Sequence, residues 1–393
     1  MDQLRPWNLA LGGLVALAVA MGIGRFVYTP ILPHMAEALS LTKSEAGLIA
    51  SANFIGYLVG ALLAATRVPG SRRTWLIAAL ALSAVTTTLT AALSGVAGLS
   101  LVRFLGGVAS AFVLVFASSV ILDRLTEAGA SRLSVAHFAG VGVGIALSAV
   151  LVSALVAAGL GWRIHWLAAG GLALLAVPLV AALVPPDRRS GGPATPPAAL
   201  SLTPRLWSLI VSYGLFGFGY VVTATFLVAI VRRSPEVRHL EPVVWVVVGL
   251  AGAPSVALWT AVARVLGVLP TYALACLVEA VGVALSVLMP NTAGIMLAAV
   301  CLGGTIMAIT ALGFMGARTL SSSDPRRIFA LMTAAFGLGQ IVGPTIAGWL
   351  FDRTGSFLLP SMMAAGALVI AAMLGGGADP KLIRTAGEPR PAA

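Results

Sequence analysis

The chain has 393 residues, of which 59% are hydrophobic and 9% are charged, whereas a soluble domain carries about 25% charged residues. A soluble protein of this length cannot bury so much apolar surface, so the composition excludes a soluble enzyme, a secreted disulfide scaffold and a disordered chain. The net charge of +11 comes from basic residues that stand singly or in pairs between apolar runs. This spacing does not indicate nucleic-acid binding, and the composition predicts an integral membrane protein with many spans.

Twelve apolar segments are long enough to cross a bilayer, which takes about 20 residues. Long, uniformly apolar runs favour α-helices over the short alternating strands of a membrane barrel. We interpret the first run as a retained helix rather than a signal peptide, because it contains Arg25, Pro30 and Pro33. The predicted spans are 8–33, 45–66, 74–94, 97–122, 133–159, 163–184, 205–231, 242–264, 268–289, 291–318, 326–351 and 356–376.

A stretch with six prolines, 185–204, lies in the middle of the chain and is typical of a linker between two bodies. We therefore predict an N-terminal six-helix bundle over 1–184, a cytoplasmic linker over 185–204, a second bundle over 205–377 and a mobile tail over 378–393. With the N-terminus inside, sixteen basic residues fall in inner segments and six in outer ones. That excess predicts that both termini are cytoplasmic.

Several residues match between the two predicted bundles at a nearly constant offset, which indicates an internal repeat of six helices. Two six-helix halves around a site at the membrane midplane are typical of one large class of transporters. The matching pairs are Gly106 with Gly303, Gly140 with Gly337, Gly142 with Gly339 and Arg67 with Arg264, all 197 residues apart, and Gly22 with Gly217, 195 apart.

Spans 5 and 11 are rich in glycine, which permits both bending and close helix packing. We predict that these residues act in gating, and static packing needs the same glycines, so both interpretations stay open. The candidate gating residues are Gly140, Gly142, Gly144, Gly337, Gly339, Gly343 and Pro344.

Several motifs resemble those of the major facilitator superfamily, over almost the whole chain. The run from Arg103 to Gly107 is similar to its fourth-helix motif, and 67–73 resembles its loop 2–3 motif, with Ala64 where the family has Asp. The missing acid puts in doubt the charge latch that the motif usually forms. The runs from Met21 to Pro33 and from Gly337 to Gly355 resemble the YbfB/YjiJ-like branch.

The resemblance implies an all-α integral membrane protein, with twelve transmembrane helices in two pseudo-symmetric six-helix bundles. It implies a multi-pass protein of a bacterial cytoplasmic (inner) membrane, but it does not fix a substrate. It also implies that helix 1 lines the central cavity.

Arg25 is the charged residue nearest the middle of the first span, about 6 Å outward of its midpoint. A charge at this depth costs at least about 2.5–3.5 kcal/mol on insertion scales, so it needs a wet cavity or a partner. We predict that Arg25 binds an anion, with Tyr28 on the same face as a second donor. The alternative is a structural arginine bonded to carbonyls freed near Pro30 and Pro33.

Three further titratable residues are candidates for proton coupling. Arg103 lies inside span 4, at a position that the superfamily links to proton coupling or substrate binding. Glu279 is the only acidic residue deep in a predicted span, and a carboxyl group there is able to exchange a proton. His137 lies near the inner boundary, where an interface histidine is the common alternative. For Arg103 the alternative is a role in helix packing. For Glu279 the alternative is a protonated side chain that bonds a neighbouring helix.

Five polar side chains within spans complete the predicted substrate site, although each is equally suited to bond another helix. Tyr220 lies opposite Arg25 in the repeat, and Gln340 interrupts the glycines of span 11. The five are Asn53, Tyr57, Tyr213, Tyr220 and Gln340.

We predict a secondary active transporter that moves a small, anionic organic solute by alternating access with proton coupling. The alternatives are a polytopic membrane enzyme, for which we find no H-E-x-x-H or G-x-S-x-G motif, and a non-transporting membrane sensor. We expect a monomer whose partners are the solute, a coupling ion and the bilayer. Cys276 and Cys301 have no metal-ligand spacing, and we expect no metal or cofactor.

Overall fold

The computed structural model describes residues 6–66, 68–186, 203–320 and 325–376. Within these ranges the chain is helical without β-strands, and twelve helices are long and apolar enough to cross a membrane, which confirms the predicted fold class. Most of the predicted linker, the predicted tail and Arg67 lie outside the described residues. In chain order, helices 1 to 12 are Pro6–Leu39, Lys43–Ala64, Arg72–Ala92, Val96–Glu127, Ser131–Ala157, Trp162–Leu183, Pro204–Arg233, Arg238–Leu266, Val268–Leu288, Thr292–Leu320, Pro325–Thr354 and Leu358–Gly375.

The helices pack in the same pattern in both halves. Helix 1 packs against helices 5 and 6, helix 2 against helix 4, and helix 3 against helices 4 and 6. The second half repeats these pairs as helix 7 with 11 and 12, helix 8 with 10, and helix 9 with 10 and 12. Close backbone approaches join the same helix pair in both halves, because a Cβ at Gly107 of helix 4 would collide with the Asn53 carbonyl of helix 2, and one at Gly303 of helix 10 with the Val248 carbonyl of helix 8. The two six-helix bundles are thus related by pseudo-symmetry.

Equivalent residues of the two halves meet where helices 1 and 7 run side by side. The Thr29 hydroxyl donates to the Ala224 carbonyl oxygen at 2.6 Å, and Glu37 pairs with Arg232. Both pairs are 195 residues apart, the offset that aligns helix 1 with helix 7. Contacts between equivalent positions are what a two-fold axis between the bundles produces.

Helix 1 is interrupted in its middle. A π-helical segment runs over Ala18–Ile23 and a turn over 24–27, after which an α-helix resumes at Tyr28. Pro30 has no backbone N–H, and its ring conflicts with the carbonyl of the preceding turn, so an unbroken helix is disfavoured here. The Thr29 N–H donates to the Phe26 carbonyl instead of that of Arg25, at 3.2 Å. The carbonyl of Arg25 is therefore left for a side chain.

The bundles touch mainly through helix 2 against helix 11 and helix 5 against helix 8. Glycines make these contacts close: Gly47 meets the Pro344 carbonyl, and Gly142 meets the backbone of Gly249 and Gly252. In the first half of helix 2, the Ser51 hydroxyl donates to the Ile341 carbonyl oxygen at 2.7 Å.

The end of the molecule at which helices 1 and 7 finish is called the closed end here. The Arg232 guanidinium donates to both Glu37 oxygens at 2.5 and 3.1 Å, and to Glu241 at 2.8 Å. The backbone N–H groups of Lys43 and Ser44, at the start of helix 2, donate to the carboxylate of Asp352 at 3.1 and 2.8 Å. Between described residues, all hydrogen bonds that join the bundles lie in this half of the molecule.

Candidate functional site

Arg25 lies in the turn that interrupts helix 1, and only 4% of its surface is exposed. Its guanidinium carbon lies over three aromatic rings, at 4.3 Å from the centre of Tyr57, 4.8 Å from Phe54 and 5.4 Å from Phe26. Its Nε and Nη2 atoms are buried without a hydrogen-bond partner among the described residues. The cation is therefore surrounded by aromatic rings, while two of its nitrogens are unsatisfied.

Arg103, in helix 4, supports the interruption of helix 1. Its Nη1 donates to the Gly24 carbonyl oxygen at 2.8 Å and its Nη2 to that of Arg25 at 2.9 Å. These are carbonyls that the broken helix leaves free. The Asn53 amide donates to the Arg103 carbonyl at 2.8 Å, which ties helix 2 to the same assembly. Arg103 and Asn53 thus hold the backbone that presents Arg25.

Tyr28 lies beside Arg103 rather than beside Arg25. Its ring centre is 5.0 Å from the guanidinium carbon of Arg103, and its hydroxyl donates to the Ala46 carbonyl oxygen at 2.8 Å. The Tyr28 hydroxyl therefore bonds the backbone of helix 2, although the sequence predicts it as a second donor beside Arg25.

Four stacked rings of helices 7 and 11 form a surface that we name the aromatic wall: Tyr213, Phe216, Tyr220 and Phe336. The ring of Phe336 is nearly parallel to Tyr220, with centroids 5.6 Å apart and planes at 5°, and it stacks on Tyr213 at 4.9 Å. Gln340 donates from its amide to the Tyr220 hydroxyl, while its Oε1 has no described partner. The aromatic wall is therefore a buried stack of rings with one unsatisfied acceptor beside it.

The two halves of the site belong to different bundles and face each other. Arg25 lies within electrostatic range of the hydroxyl groups of Tyr213 and Tyr220. Phe26 also contacts Trp245 of helix 8 across the interface, with ring centroids 6.4 Å apart. The indole N–H of Trp245 is buried without a described partner. The predicted residues Arg25, Tyr57, Tyr213, Tyr220 and Gln340 are thus brought together.

Glu279 lies away from Arg25, inside the second bundle. It is fully buried on helix 9, its carboxylate faces Thr305 of helix 10, and neither oxygen reaches hydrogen-bond geometry with a described residue. The Thr305 hydroxyl donates to the Cys301 carbonyl at 2.6 Å. Glu279 interacts electrostatically with Tyr220 of the aromatic wall.

His137 is buried between helices 1, 4 and 5 rather than exposed at an interface. Its Nε2 is 3.0 Å from the Ser118 hydroxyl, and a Cβ at Gly13 would collide with its ring. The structure does not bring it near Arg25 or Glu279.

The predicted gating glycines divide between two kinds of contact. Gly140 and Gly144 pack on helix 1, and Gly339 and Gly343 pack on helix 7, all within a bundle. In contrast, Gly142, Gly337 and Pro344 face helices 8 and 2 of the opposite bundle, with Gly337 against Leu58.

Sequence reasoning missed the apolar members of the site: Phe26, Phe54, Trp245 and Phe336. They carry no charge, and aromatic residues in a membrane helix are common, so polarity did not single them out. The spacing of Tyr213, Phe216 and Tyr220 along helix 7 is the signal that points to a shared aromatic face. No group of three His, Cys, Asp or Glu suited to a metal ion occurs in the part of the chain that the structure describes.

Twelve membrane helices in two related bundles, with a buried arginine at their interface, define a transporter of the major facilitator type. The family described as "Uncharacterised MFS-type transporter YbfB" matches residues 17–375, and the chain belongs to this family. Both the predicted superfamily and the predicted branch are confirmed. The chain is a multi-pass membrane transporter.

Relatives agree with this assignment. A chloramphenicol resistance protein of Streptomyces lividans is 29% identical over 385 residues, covering 92% of this chain and 94% of the relative. A mutant of the nucleoside transporter NupG has a TM-score of 0.72 at 14% identity, covering 93% of this chain and 98% of that chain. A bacterial homologue of the human lysosomal transporter Spinster, inward-facing and occupied, has a TM-score of 0.72 at 16% identity, covering 95% and 96%. These two structures share the fold.

Proposed function

We propose that the chain is a secondary active transporter that carries a small organic anion by alternating access. The observation that carries this proposal is Arg25, a buried guanidinium at the interface of the bundles with two unsatisfied nitrogens. Burying a charge without a partner is costly, and no carboxylate pairs with Arg25 among the described residues. A carboxylate on the solute supplies the missing partner in the geometry that a guanidinium prefers.

Alternating access is supported by the uneven distribution of contacts between the bundles. Hydrogen bonds and ion pairs between described residues join the bundles only in the half that contains the closed end. Rocking of one bundle against the other breaks those bonds and brings the opposite ends together, so that the site faces each side of the membrane in turn. We infer that the structure represents the inward-facing state, with the closed end outside and both termini in the cytoplasm of a bacterium.

Proton coupling is assigned to Glu279, with Arg103 as a positioning residue. A buried carboxylate without a hydrogen-bond partner favours the protonated form, and it releases the proton only when a rearrangement brings water or a partner. Because Tyr220 lies within range of both Glu279 and Arg25, proton release in the second bundle changes the field at the anion site. His137 remains a weaker candidate, since it contacts neither residue.

Export of an uncharged aromatic drug is a second candidate function. It is favoured by the 29% identity to a chloramphenicol resistance protein together with the aromatic wall. In that case Arg25 contacts a hydroxyl or carbonyl group of the drug instead of a carboxylate, and a neutral solute is moved.

The test is solute flux into liposomes that contain the purified protein, under an imposed pH gradient. The probes are benzoate, succinate, glutamate, glucose and chloramphenicol. We expect at least one organic acid to accumulate, and we expect Arg25→Ala to reduce its flux at least about 30-fold, because truncating one partner of a buried charge pair costs about 2–5 kcal/mol. Arg25→Lys keeps the charge but loses the fork geometry, and should retain part of the flux.

The matched control is Arg353→Ala. Arg353 also stacks on an aromatic ring, that of Trp349 at 4.0 Å, but it is exposed at the closed end. The Arg353→Ala variant should leave flux unchanged. Accumulation of chloramphenicol alone would support drug export, and full flux of organic acids in Arg25→Ala would refute the anion site.

A further inference from the structure

The closed end contains a cavity that is separate from the Arg25 site. It has a volume of about 330 Å³ and lies where helices 1 and 7 end and helices 2 and 8 begin. Tyr220 of the aromatic wall precedes Arg232 of this cavity by twelve residues, about 18 Å along helix 7. The lining combines four cations with one carboxylate: Lys43, Arg232, Arg233, Arg238 and Glu37.

The carboxylates around this cavity already have partners. Glu37 and Glu241 both pair with Arg232, at 2.5 and 2.8 Å. The carboxylate of Asp352 accepts hydrogen bonds from the first two backbone N–H groups of helix 2, at 3.1 and 2.8 Å. Each of these three carboxylates is therefore bound to a group other than the remaining cations of the lining.

Three cations of the lining are left without such a partner. Among the described residues, Lys43, Arg233 and Arg238 make no ion pair. Lys43 lies within electrostatic range of both Arg232 and Arg233, so like charges converge on one space. The Arg233 guanidinium lies over the ring of Phe351, 4.7 Å from its centre, which restricts its position. Converging like charges repel each other, and an anion bound between them removes that cost.

A phosphate group suits these three cations better than a carboxylate does. It carries a charge of about −1.5 to −2 near pH 7 and has three acceptor oxygens, whereas a carboxylate has two. Lys43 approaches the cavity from the first bundle, and Arg233 and Arg238 approach it from the second. A cavity needs only about 10–15 Å³ to hold one water molecule, so this one has room for a tetrahedral anion.

We propose that the cavity binds a phosphate group that bridges the two bundles. Its oxygens accept hydrogen bonds from Lys43 on one side and from Arg233 and Arg238 on the other. Rocking of the bundles moves Lys43 away from both arginines, so the phosphate binds only the closed arrangement and stabilises it. The group is supplied by free phosphate or by the headgroup of a phospholipid. Binding here does not depend on the solute that Arg25 binds.

The first test measures binding of inorganic phosphate by calorimetry, on the full chain in maltoside micelles free of phospholipid. We expect Lys43→Gln and Arg233→Gln each to weaken binding about tenfold, the low end of the range for a hydrogen bond to a charged group. The two variants remove donors from different bundles. A loss of affinity in only one of them contradicts the bridge, and unchanged affinity in both overturns the site.

The matched control is Arg353→Gln. Arg353 is an exposed arginine at the closed end that stacks on Trp349 and does not line the cavity. This variant should keep the phosphate affinity of the wild type. Arg25→Ala should keep it too, and a loss there would assign phosphate binding to the Arg25 site and overturn the second site.

The source of the phosphate group is identified with a short-chain lipid. Dioctanoyl phosphatidate is titrated in parallel, with dioctanoylglycerol as its match without phosphate. Tighter binding of phosphatidate, lost in Arg233→Gln, identifies a lipid headgroup, and equal binding of both phosphates identifies the free anion. The proposal is overturned when neither phosphate binds, or when dioctanoylglycerol binds as tightly as phosphatidate and inorganic phosphate does not bind.

Hydrogen exchange tests the preference for the closed arrangement. The N–H groups of Lys43 and Ser44 donate to Asp352 of the opposite bundle, so they exchange when this end opens. Phosphate at about ten times its dissociation constant should slow their exchange about tenfold, because a ligand of one state lowers the population of the other by that factor. Exchange that saturating phosphate leaves unchanged contradicts the bridge.

Discussion

Helices 1 and 7 occupy equivalent places in the two bundles but have different backbones. Helix 1 contains a π-helical segment, a turn and then an α-helix that carries Pro33, whereas helix 7 is α-helical without interruption over Pro204–Arg233. At the aligned positions, Arg25 in the turn of helix 1 corresponds to Tyr220 in the continuous helix 7. The repeat therefore preserves helix packing while the local structure at the site diverges.

The difference assigns complementary tasks to the halves. An interrupted helix places a charged side chain at the interface and leaves carbonyls that Arg103 satisfies. A continuous helix holds Tyr213, Phe216 and Tyr220 on one rigid face. At the closed end the two halves also differ in sequence: the equivalent positions 37 and 232 carry Glu and Arg, whose opposite charges attract each other. Like charges at these positions would repel each other.

The largest effect should follow from removing the support of the interruption. Arg103→Ala leaves the carbonyls of Gly24 and Arg25 without their donor, which costs roughly 2–4 kcal/mol of stability. The free energy of unfolding, measured by denaturant titration in mixed micelles, checks this. Arg163→Ala is the control, because Arg163 also lies over a ring, that of Trp162, and donates to a hydroxyl, but is exposed. Equal stability of the two variants would show that the interruption of helix 1 needs no support.

The second prediction concerns the acid that only one half possesses. Helix 9 carries Glu279, and the equivalent helix 3 has no acidic residue. In Glu279→Gln the accumulation of solute should no longer depend on the pH gradient. In the wild type, a gradient of one pH unit should change the accumulation ratio about tenfold for each coupled proton. Counterflow exchange without a gradient should persist. The exposed Glu127→Gln serves as the control. A pH profile that matches the wild type would assign coupling to another residue.

The smallest effect is expected at the closed end, where the two halves pair directly. Arg232→Ala removes the contacts to Glu37 and Glu241 and should open this end more often. The reporter is a cysteine introduced at Ala224, beside Thr29, in a protein whose buried Cys276 and Cys301 are replaced by serine. We expect Arg232→Ala to make this cysteine react several-fold faster with an impermeant maleimide.

Arg238→Ala is the control at the same end, because Arg238 is exposed and makes no ion pair with another described residue. A reaction rate that Arg232→Ala leaves unchanged would mean that the glycine contacts, rather than the ion pairs, hold this end closed.

The fold could be predicted from the sequence because a bilayer requires long apolar helices, and hydropathy identifies such helices directly. The twelve predicted spans correspond to the twelve helices, most within a few residues, and the charge at Arg25 marked the site by its cost in the membrane. Helix 1 ends at Leu39 rather than near residue 33, since prolines within a helix mark a bend as readily as an end. The partners of Arg103 and Tyr28 were not predictable, because they are backbone carbonyls, which every residue has.

The central claim, that Arg25 binds the solute's negative charge, is tested most directly by NMR of its guanidinium. The protein is labelled with ¹⁵N-arginine, and the Arg25 Nε–H resonance is identified by its loss in Arg25→Lys. We predict that titration with the organic acid that liposomes accumulate fastest shifts this resonance downfield to saturation, while that of Arg103 moves little. A solute that binds to saturation and leaves the Arg25 resonance in place would contradict the account.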